Sequence, residues 1–356
     1  MRVAIPLTRQ ARRSLILVSR FWAWVFLLLL VVFFSLTGHG FFDLFNFQNI
    51  GANMAILMIM ALGQTFVIIS GGIDLSTGFV TGLASVASAM AMMRLFPAAP
   101  LPLVALLGLA GGVLAGVIAG LINGVMIGRL RVPPFIVTLG MLGIARGIGF
   151  ILSGGQPIAV LINGIGQLGN GYLAYYIPTV GFTFFSIPKD LHGVSQREII
   201  GILPYPLILM VLLIVICYWL LAHTRFGQHT YAIGGNREAA LRAGIPVVSH
   251  TIKVYMLSSF LAALAGVLAT LRFSNGAADV GDALLLDSIA AVVIGGASLF
   301  GGEGTIIGTV IGGLILAVIQ NGLVILGIDA FWQFVAVGMI IILAVLVDQA
   351  KARITE

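Results

Sequence analysis

Charged side chains are scarce in this sequence. Only 8% of the 356 residues are Asp, Glu, Lys or Arg, and 60% are apolar, whereas a soluble domain carries about a quarter charged residues. So few charges cannot cover the surface of a chain this long, which excludes a soluble globular protein. In a bilayer only helices and closed barrels satisfy every backbone group. The runs 24–34 and 207–221 are apolar on every side rather than alternating, so they predict helices.

Cysteine and catalytic motifs are also nearly absent. The single cysteine, Cys217, excludes a disulfide within the chain, and its apolar surroundings favour a small core residue. No His, Cys, Asp and Glu set has metal spacing, and neither a nucleophile elbow nor a Walker phosphate loop occurs. The sequence therefore contains no set of catalytic residues of the kind that a membrane-embedded enzyme needs. We expect no cofactor on this chain; if ATP drives it, a partner must hold the ATP and Mg²⁺.

Long apolar runs predict an all-α, polytopic bundle of about ten spans, since a span needs roughly 20 apolar residues. The abundant glycine, 46 residues, lets membrane helices approach closely. A cytoplasmic segment 1–21 precedes the transmembrane domain 22–348, and a cytoplasmic tail 349–356 follows it. The first span resembles a secretory signal, but 31–40 offers no good cleavage site. The predicted spans are 22–37, 52–71, 78–94, 102–126, 134–153, 203–222, 252–272, 284–298, 304–325 and 331–348.

The distribution of charge predicts that both termini are cytoplasmic, because cytoplasmic loops carry the excess of Lys and Arg. The net charge of +6 sits in short clusters between apolar runs, without a basic stripe for nucleic acid. The predicted inner loops contain Arg129, Arg131, Arg225, Arg237, Arg242, Lys253, Lys351 and Arg353. The predicted outer loops contain Asp43, Asp190, Glu198, Asp279, Asp282 and Asp329.

Two predicted inner turns, 71–77 and 301–304, carry an acid, Asp74 or Glu303, and no cation. They predict broken or re-entrant helices, whose backbone survives only when buried in protein or facing a cavity. Paired glycines end an apolar helix at both places, which indicates an internal repeat of the kind found in transporters. Chance similarity between two glycine-rich segments is the alternative.

The inner loop 223–251 contains a well-delimited short helix. Asn236 is a good N-cap, Glu238 suits the positive end of the helix, and Gly244 is a natural C-cap. A soluble partner can bind such a helix. The outer segment 154–202 is moderately polar, and we expect a structured periplasmic loop that receives a partner.

This loop resembles a known family. Glu238-Ala239-Ala240 followed by Gly244 is similar to the Glu-Ala-Ala-x-x-x-Gly loop of importer permeases of the ATP-binding-cassette (ABC) class, although the usual downstream Ile-x-Leu-Pro is absent. The segments 71–76, 132–140, 232–236 and 289–296 resemble the ribose, xylose and arabinose type of permease, as do Gly301-Gly302 and Asn321-Gly322-Leu323. The resemblance runs from about residue 50 to the C-terminus.

The resemblance implies a bacterial inner-membrane importer of a pentose or hexose. Its expected partners are a second permease copy that forms a homodimer in the family's manner, a cytoplasmic ATPase pair and a periplasmic sugar-binding protein. The residues implied to dock the ATPase are Asn236, Arg237, Glu238, Ala239, Ala240, Arg242 and Gly244.

Polar residues within apolar runs are candidates for the translocation path. A buried carboxylate is costly in a bilayer, so Asp74 is either a gate or a cap for the helix that restarts beside it, and the two roles are compatible. Arg146 either snorkels, pairs with an acid or carbonyl, or contacts sugar. Asp287 caps a helix or faces the outer mouth, and the polar amides bond neighbouring helices or touch the solute. The candidates are Gln64, Asp74, Ser76, Asn123, Thr138, Arg146, Asp287, Glu303 and Asn321.

Two rival transport functions stay open. A secondary transporter coupled to protons or sodium usually places several ionisable groups deep in its spans, and here only Asp74, Arg146 and Glu303 qualify. An importer of branched-chain amino acids shares the general design, but a zwitterion needs partners for both of its charges. A neutral sugar needs no deep charge, which favours sugar import by ATP-driven alternating access.

Overall fold

The computed structural model describes residues 9–95, 99–188, 198–329, 331–336, 338–339 and 342. Most of the predicted span 331–348, the predicted tail 349–356, the first eight residues, Asp190, Lys351 and Arg353 lie outside this part. The remaining predicted spans fall on helices. The helices are α1 Arg9–Thr37, α2 Leu44–Ile69, α3 Thr77–Leu95, α4 Leu101–Gly128, α5 Pro134–Ser153, α6 Ile165–Asn170, α7 Tyr205–His223, α8 Arg225–Gly235, α9 Arg237–Arg242, α10 Val247–Phe273, α11 Asp282–Ile294 and α12 Ile306–Ile325.

Six of the described helices, α2, α4, α5, α7, α10 and α12, are long and apolar enough to cross a bilayer. Shorter apolar stretches occupy 23–37 of α1 and 77–93 of α3. The prediction of a polytopic helical membrane protein is confirmed at this level. The count of ten spans and the cytoplasmic termini stay predictions.

The helix α10 is the central element of the bundle, buried along most of its length between α2, α3 and α4. Glycines at every fourth position of α4 face it. A Cβ on Gly116 or Gly120 would lie 2.7 Å from the carbonyl oxygen of Ser259 or Tyr255 on α10. Small residues at such positions let two backbones pack without intervening side chains, so this stripe sets the spacing of the two helices.

The chain between α10 and α11 begins with the short extended stretch 275–277, turns at 278–281, and lies along α3. Gly276 packs against the Ser85 carbonyl, the Ala277 amide donates to the Ser85 hydroxyl at 3.2 Å, and Gly281 packs on Gly78. The helix α11 that follows has 13 residues, a length of about 20 Å, which is less than the roughly 30 Å of a bilayer core. The predicted span 284–298 is therefore a half-helix, and the connection before it packs on α3 through Gly276 and Gly281.

The segment 154–202 is structured in its described part, as predicted, but it contains small sheets that the all-α prediction missed. Strand β2 is central in a three-stranded antiparallel sheet with β3 and β4, and β1 pairs with β5 in the extended connection after α10. The pairing fixes this segment over α10. The strands are β1 Ile158–Ala159, β2 Tyr172–Ile177, β3 Gly181–Phe184, β4 Ile200–Pro204 and β5 Asn275–Gly276.

Candidate functional site

The helices α2 and α11 end in the same way, at the two breaks that the sequence predicted. At the end of α2 the Gly71 amide donates to the Ile68 carbonyl and the next amide donates to the Val67 carbonyl. At the end of α11 the Gly296 amide donates to the Val293 carbonyl and the next amide to the Val292 carbonyl. Both are Schellman motifs, and both have glycine at positive φ, +80° at Gly71 and +90° at Gly296. The two helix ends therefore share one backbone motif, with Gly71 and Gly296 at the same position in it, and the internal repeat stays a prediction, because many helices end in this way.

The first break surrounds a fully buried carboxylate. Asp74 accepts hydrogen bonds at one oxygen from the Ser76 amide at 3.0 Å and the Ser76 hydroxyl at 2.6 Å, and at the other from the Ser258 hydroxyl at 3.0 Å. The Ser76 amide lies just before the first residue of α3, so the Asp74 side chain caps the turn at which the helix restarts. The cap is one of the two roles that the sequence predicted for Asp74. Three donors satisfy the two oxygens of this fully buried side chain.

Two amides extend this network across the bundle. Gln64 of α2 donates to the Asp74 carbonyl at 2.5 Å and to the Thr77 hydroxyl at 3.0 Å, and Asn123 of α4 donates to the Ser76 hydroxyl at 2.9 Å. The Thr138 hydroxyl of α5 lies 3.3 Å from the Ile73 carbonyl. The Gln64 and Asn123 side-chain oxygens are buried without a partner. In this conformation these residues join helices, and five of them form one cluster at the first break.

The other predicted path residues lie apart from this cluster. Glu303 is exposed at the second break. Asp287 of α11 is half-buried and accepts a hydrogen bond from Gln320 at 3.0 Å, and Asn321 exchanges hydrogen bonds with Asn46 at 3.0 Å. Both pairs join neighbouring helices.

Arg146 lies on an open face of α5. Its guanidinium carbon is 5.2 Å from the centre of the Phe79 ring, and its side chain is otherwise exposed. A Cβ added to Gly140, Gly143 or Gly147 on the same helix would meet nothing within 4 Å. A charge in the middle of a span is costly in lipid, so the Arg146 side chain either snorkels to the interface or meets water or another protein surface on this face.

The helix α9 forms where the sequence predicted a short capped helix. The Asn236 side chain accepts from the Ala239 amide at 2.9 Å. At the other end Gly244, at φ +79°, donates to the Leu241 carbonyl and Ile245 donates to the Ala240 carbonyl, which is a third Schellman motif. The caps that were predicted from single residues are confirmed.

The outer surface of α9 is free in the single chain. Ala240 is buried against Ile233 and Val247, which anchors the helix to its neighbours. Arg237, Glu238, Ala239, Leu241, Arg242 and Gly244 are exposed. Arg242 lies 4.0 Å from Glu238 one turn away, a pair so exposed that it contributes little to stability.

Sequence reasoning missed three residues at these places: Ser258, Tyr231 and Gly234. The Ser258 hydroxyl completes the Asp74 site from α10, and the Tyr231 hydroxyl of α8 donates to the Gly304 carbonyl at 2.6 Å. A polar residue in an apolar run was the signal for Ser258. The positions of Tyr231 and Gly234 depend on contacts between distant segments, which local patterns do not encode.

The apolar helices define a polytopic membrane protein, and the first of its two breaks holds the fully buried Asp74. The chain belongs to the family described as the permease component of branched-chain amino acid transport systems, whose model matches residues 46–345. This places it in the bacterial inner membrane. Within the described residues, no group of three His, Cys, Asp or Glu side chains is arranged to hold a metal ion.

Several curated proteins are similar over nearly the whole chain. A ribose import permease of Bacillus subtilis is 38% identical, over 92% of this chain and 91% of its own length. A fructose import permease of Rhizobium meliloti is 35% identical, over 91% of this chain and 83% of its own. A xylose transport system permease of Escherichia coli is 31% identical, over 91% and 90%. No solved structure gives a significant match.

Proposed function

We propose that this chain is the membrane-spanning subunit of an ABC importer that moves a monosaccharide, a pentose or a hexose, into the bacterial cytoplasm. A periplasmic binding protein delivers the sugar, and ATP hydrolysis by a separate cytoplasmic subunit powers alternating access. The similarity to ribose, fructose and xylose permeases over more than nine-tenths of the chain carries the proposal. The exposed helix α9, on the side predicted to be cytoplasmic, supports the ATPase partner.

The residues around the first break form the closed part of the path in this proposal. Asp74, Ser76, Gln64 and Asn123 hold α2, α3, α4 and α10 together at one depth. The unpartnered oxygens of Gln64 and Asn123 favour a rearrangement that gives them a donor, such as a sugar hydroxyl. Polar networks with two arrangements are the usual elements of a switch.

A second copy of the chain completes the path. Arg146 and the open glycines of α5 need a polar surface or another helix beside them, and glycines on one helix face favour close helix contact. We therefore place the homodimer contact or the shared path on this face of α5.

The description of the family favours a second candidate, import of a branched-chain amino acid. A zwitterion brings an ammonium and a carboxylate, and both need partners away from water. Within the described residues, the one recorded ion pair is the exposed pair Glu238 and Arg242, and the hydrogen bonds of Asp74 all come from serines. This arrangement favours a neutral solute.

The test is purification of the chain with its ATPase and binding protein, followed by a screen for solutes that stimulate ATP hydrolysis. We expect stimulation by D-ribose, D-fructose or D-xylose and none by L-leucine. Stimulation by L-leucine alone would establish import of a branched-chain amino acid instead. Uptake that stops when the proton gradient is collapsed at constant ATP would establish an ion-coupled carrier and contradict both.

A further inference from the structure

Three glycines from distant parts of the chain meet at one point. They are Gly71 of the first break, Gly301 of the second break and Gly234 of α8, and we call them the glycine junction. A Cβ on Gly301 would lie 2.8 Å from the Gly71 α-carbon and 2.9 Å from the Gly234 carbonyl oxygen. Neither distance leaves room for a side chain on Gly301, so its backbone is in direct contact with the backbones of Gly71 and Gly234.

Hydrogen bonds hold the junction together. The Gly302 amide of the second break donates to the Ile69 carbonyl, the last residue of α2, at 2.8 Å. A Cβ on Gly234 would overlap that same carbonyl and lie 2.6 Å from the Gly302 nitrogen. One turn earlier on α8, the Tyr231 hydroxyl donates to the Gly304 carbonyl at 2.6 Å. The helix α8 is thus bonded to the second break and packed on the bond that joins the two breaks.

The junction lies between α9 and the Asp74 cluster. Gly234 is two residues before Asn236, the N-cap of α9, and Ile233 beside it packs on Ala240 of α9. On the other side, the chain continues from Ile69 to Asp74 in five residues. A displacement of α9 therefore reaches the last turn of α8 first and the two breaks next.

We propose that Gly234 is a positioning residue through which α9 moves both breaks together, so that the ATPase opens the path at two places at once. This inference rests on the proposed function, because it needs an ATPase that binds α9. Backbone contacts are stiff, since interiors are close-packed and transmit strain. Small shifts at such contacts can drive an element between two discrete arrangements.

The neighbouring glycine supplies a matched control. A Cβ on Gly235 meets nothing within 4 Å, although this residue belongs to the same turn of α8. Gly234→Ala forces α8 away from the Ile69 carbonyl, while Gly235→Ala adds the same methyl group to open space. Tyr231→Phe removes only the hydrogen bond to Gly304 and keeps the ring, so it tests the same link without a steric change.

The experiment uses the importer reconstituted in proteoliposomes with its own ATPase and binding protein. Uptake of whichever of D-ribose, D-fructose or D-xylose stimulates ATP hydrolysis is measured together with that hydrolysis. For Gly234→Ala we expect the sugar moved per ATP to fall at least about fivefold, the lower end of ordinary coupling between sites. Gly235→Ala should keep the wild-type ratio, and Tyr231→Phe should fall between them.

A purely structural role would lower uptake and hydrolysis in proportion and leave their ratio unchanged, which would overturn the inference while the proposed function stood. If Gly234→Ala does not assemble, Tyr231→Phe decides: a wild-type ratio contradicts the junction and a lowered ratio supports it. Wild-type protein whose uptake needs no ATP would overturn the proposed function, and the inference with it.

Discussion

Ser258 on α10 donates a hydrogen bond of 3.0 Å to the Asp74 carboxylate, which joins positions 184 residues apart in the chain. Both side chains are fully buried. The central helix is thereby tied to the first break at the point where α3 begins, so movement of the break requires a change in this bond.

Ser258→Ala should lower the stability of the bundle by about 1–3 kcal/mol, the usual cost of leaving a buried acceptor without its donor. Thermal melting in lipid nanodiscs measures it. Ser259→Ala is the matched control, because the next hydroxyl along the helix is buried without a partner. Equal loss of stability in both variants would show that the Asp74 bond contributes nothing of its own.

Asn236→Ala should loosen α9, because the loss of an N-cap side chain costs about 1 kcal/mol. Hydrogen exchange at Ala239, whose amide the cap accepts, should become faster, and sugar uptake should fall with it. Asn236→Asp keeps an acceptor at the cap and should retain both properties. Unchanged exchange in the alanine variant would contradict the role of this cap.

Arg146→Cys should react with a membrane-impermeant thiol reagent, because the open face of α5 is placed on the water-filled path or a polar contact. The measurement is made in a Cys217→Ala background, so that the reagent can react only with the introduced thiol. The native cysteine is buried. Ala145→Cys is the control, because the neighbouring side chain is 1% exposed and packs inside the bundle. If Arg146→Cys is as unreactive as Ala145→Cys, water does not reach position 146 and the support for a path on this face is removed.

The sequence was sufficient for features that depend on near neighbours. Asn236 and Gly244 were predicted from local cap chemistry, and the structure places both in the predicted caps. The paired glycines predicted the end of α2, which falls beside Gly71. The apolar runs located the helices because their length is set by the bilayer. The sequence did not predict that α11 is a half-helix, because an apolar run does not reveal the depth in the bilayer at which its helix begins.

The arrangement of the polar residues needed the structure. Gln64, Ser76 and Asn123 meet Asp74, whereas Asp287 and Asn321 bond other helices. All of them look alike in the sequence, as polar residues within or beside apolar runs. Which of them come together depends on packing between α2, α4 and α10, and the strand pairing of β1 with β5 depends on segments over 100 residues apart.

The central claim is that α9 receives its motion from an ATPase on another polypeptide. The most direct measurement is ATP-dependent sugar uptake in proteoliposomes by a variant carrying Glu238→Arg and Gly244→Val, beside wild type. The first change reverses an exposed charge, and the second puts a branched side chain at φ +79°. We predict that ATP hydrolysis no longer drives uptake while the variant still inserts and melts as a folded bundle. Uptake per ATP equal to that of the wild type would contradict the claim.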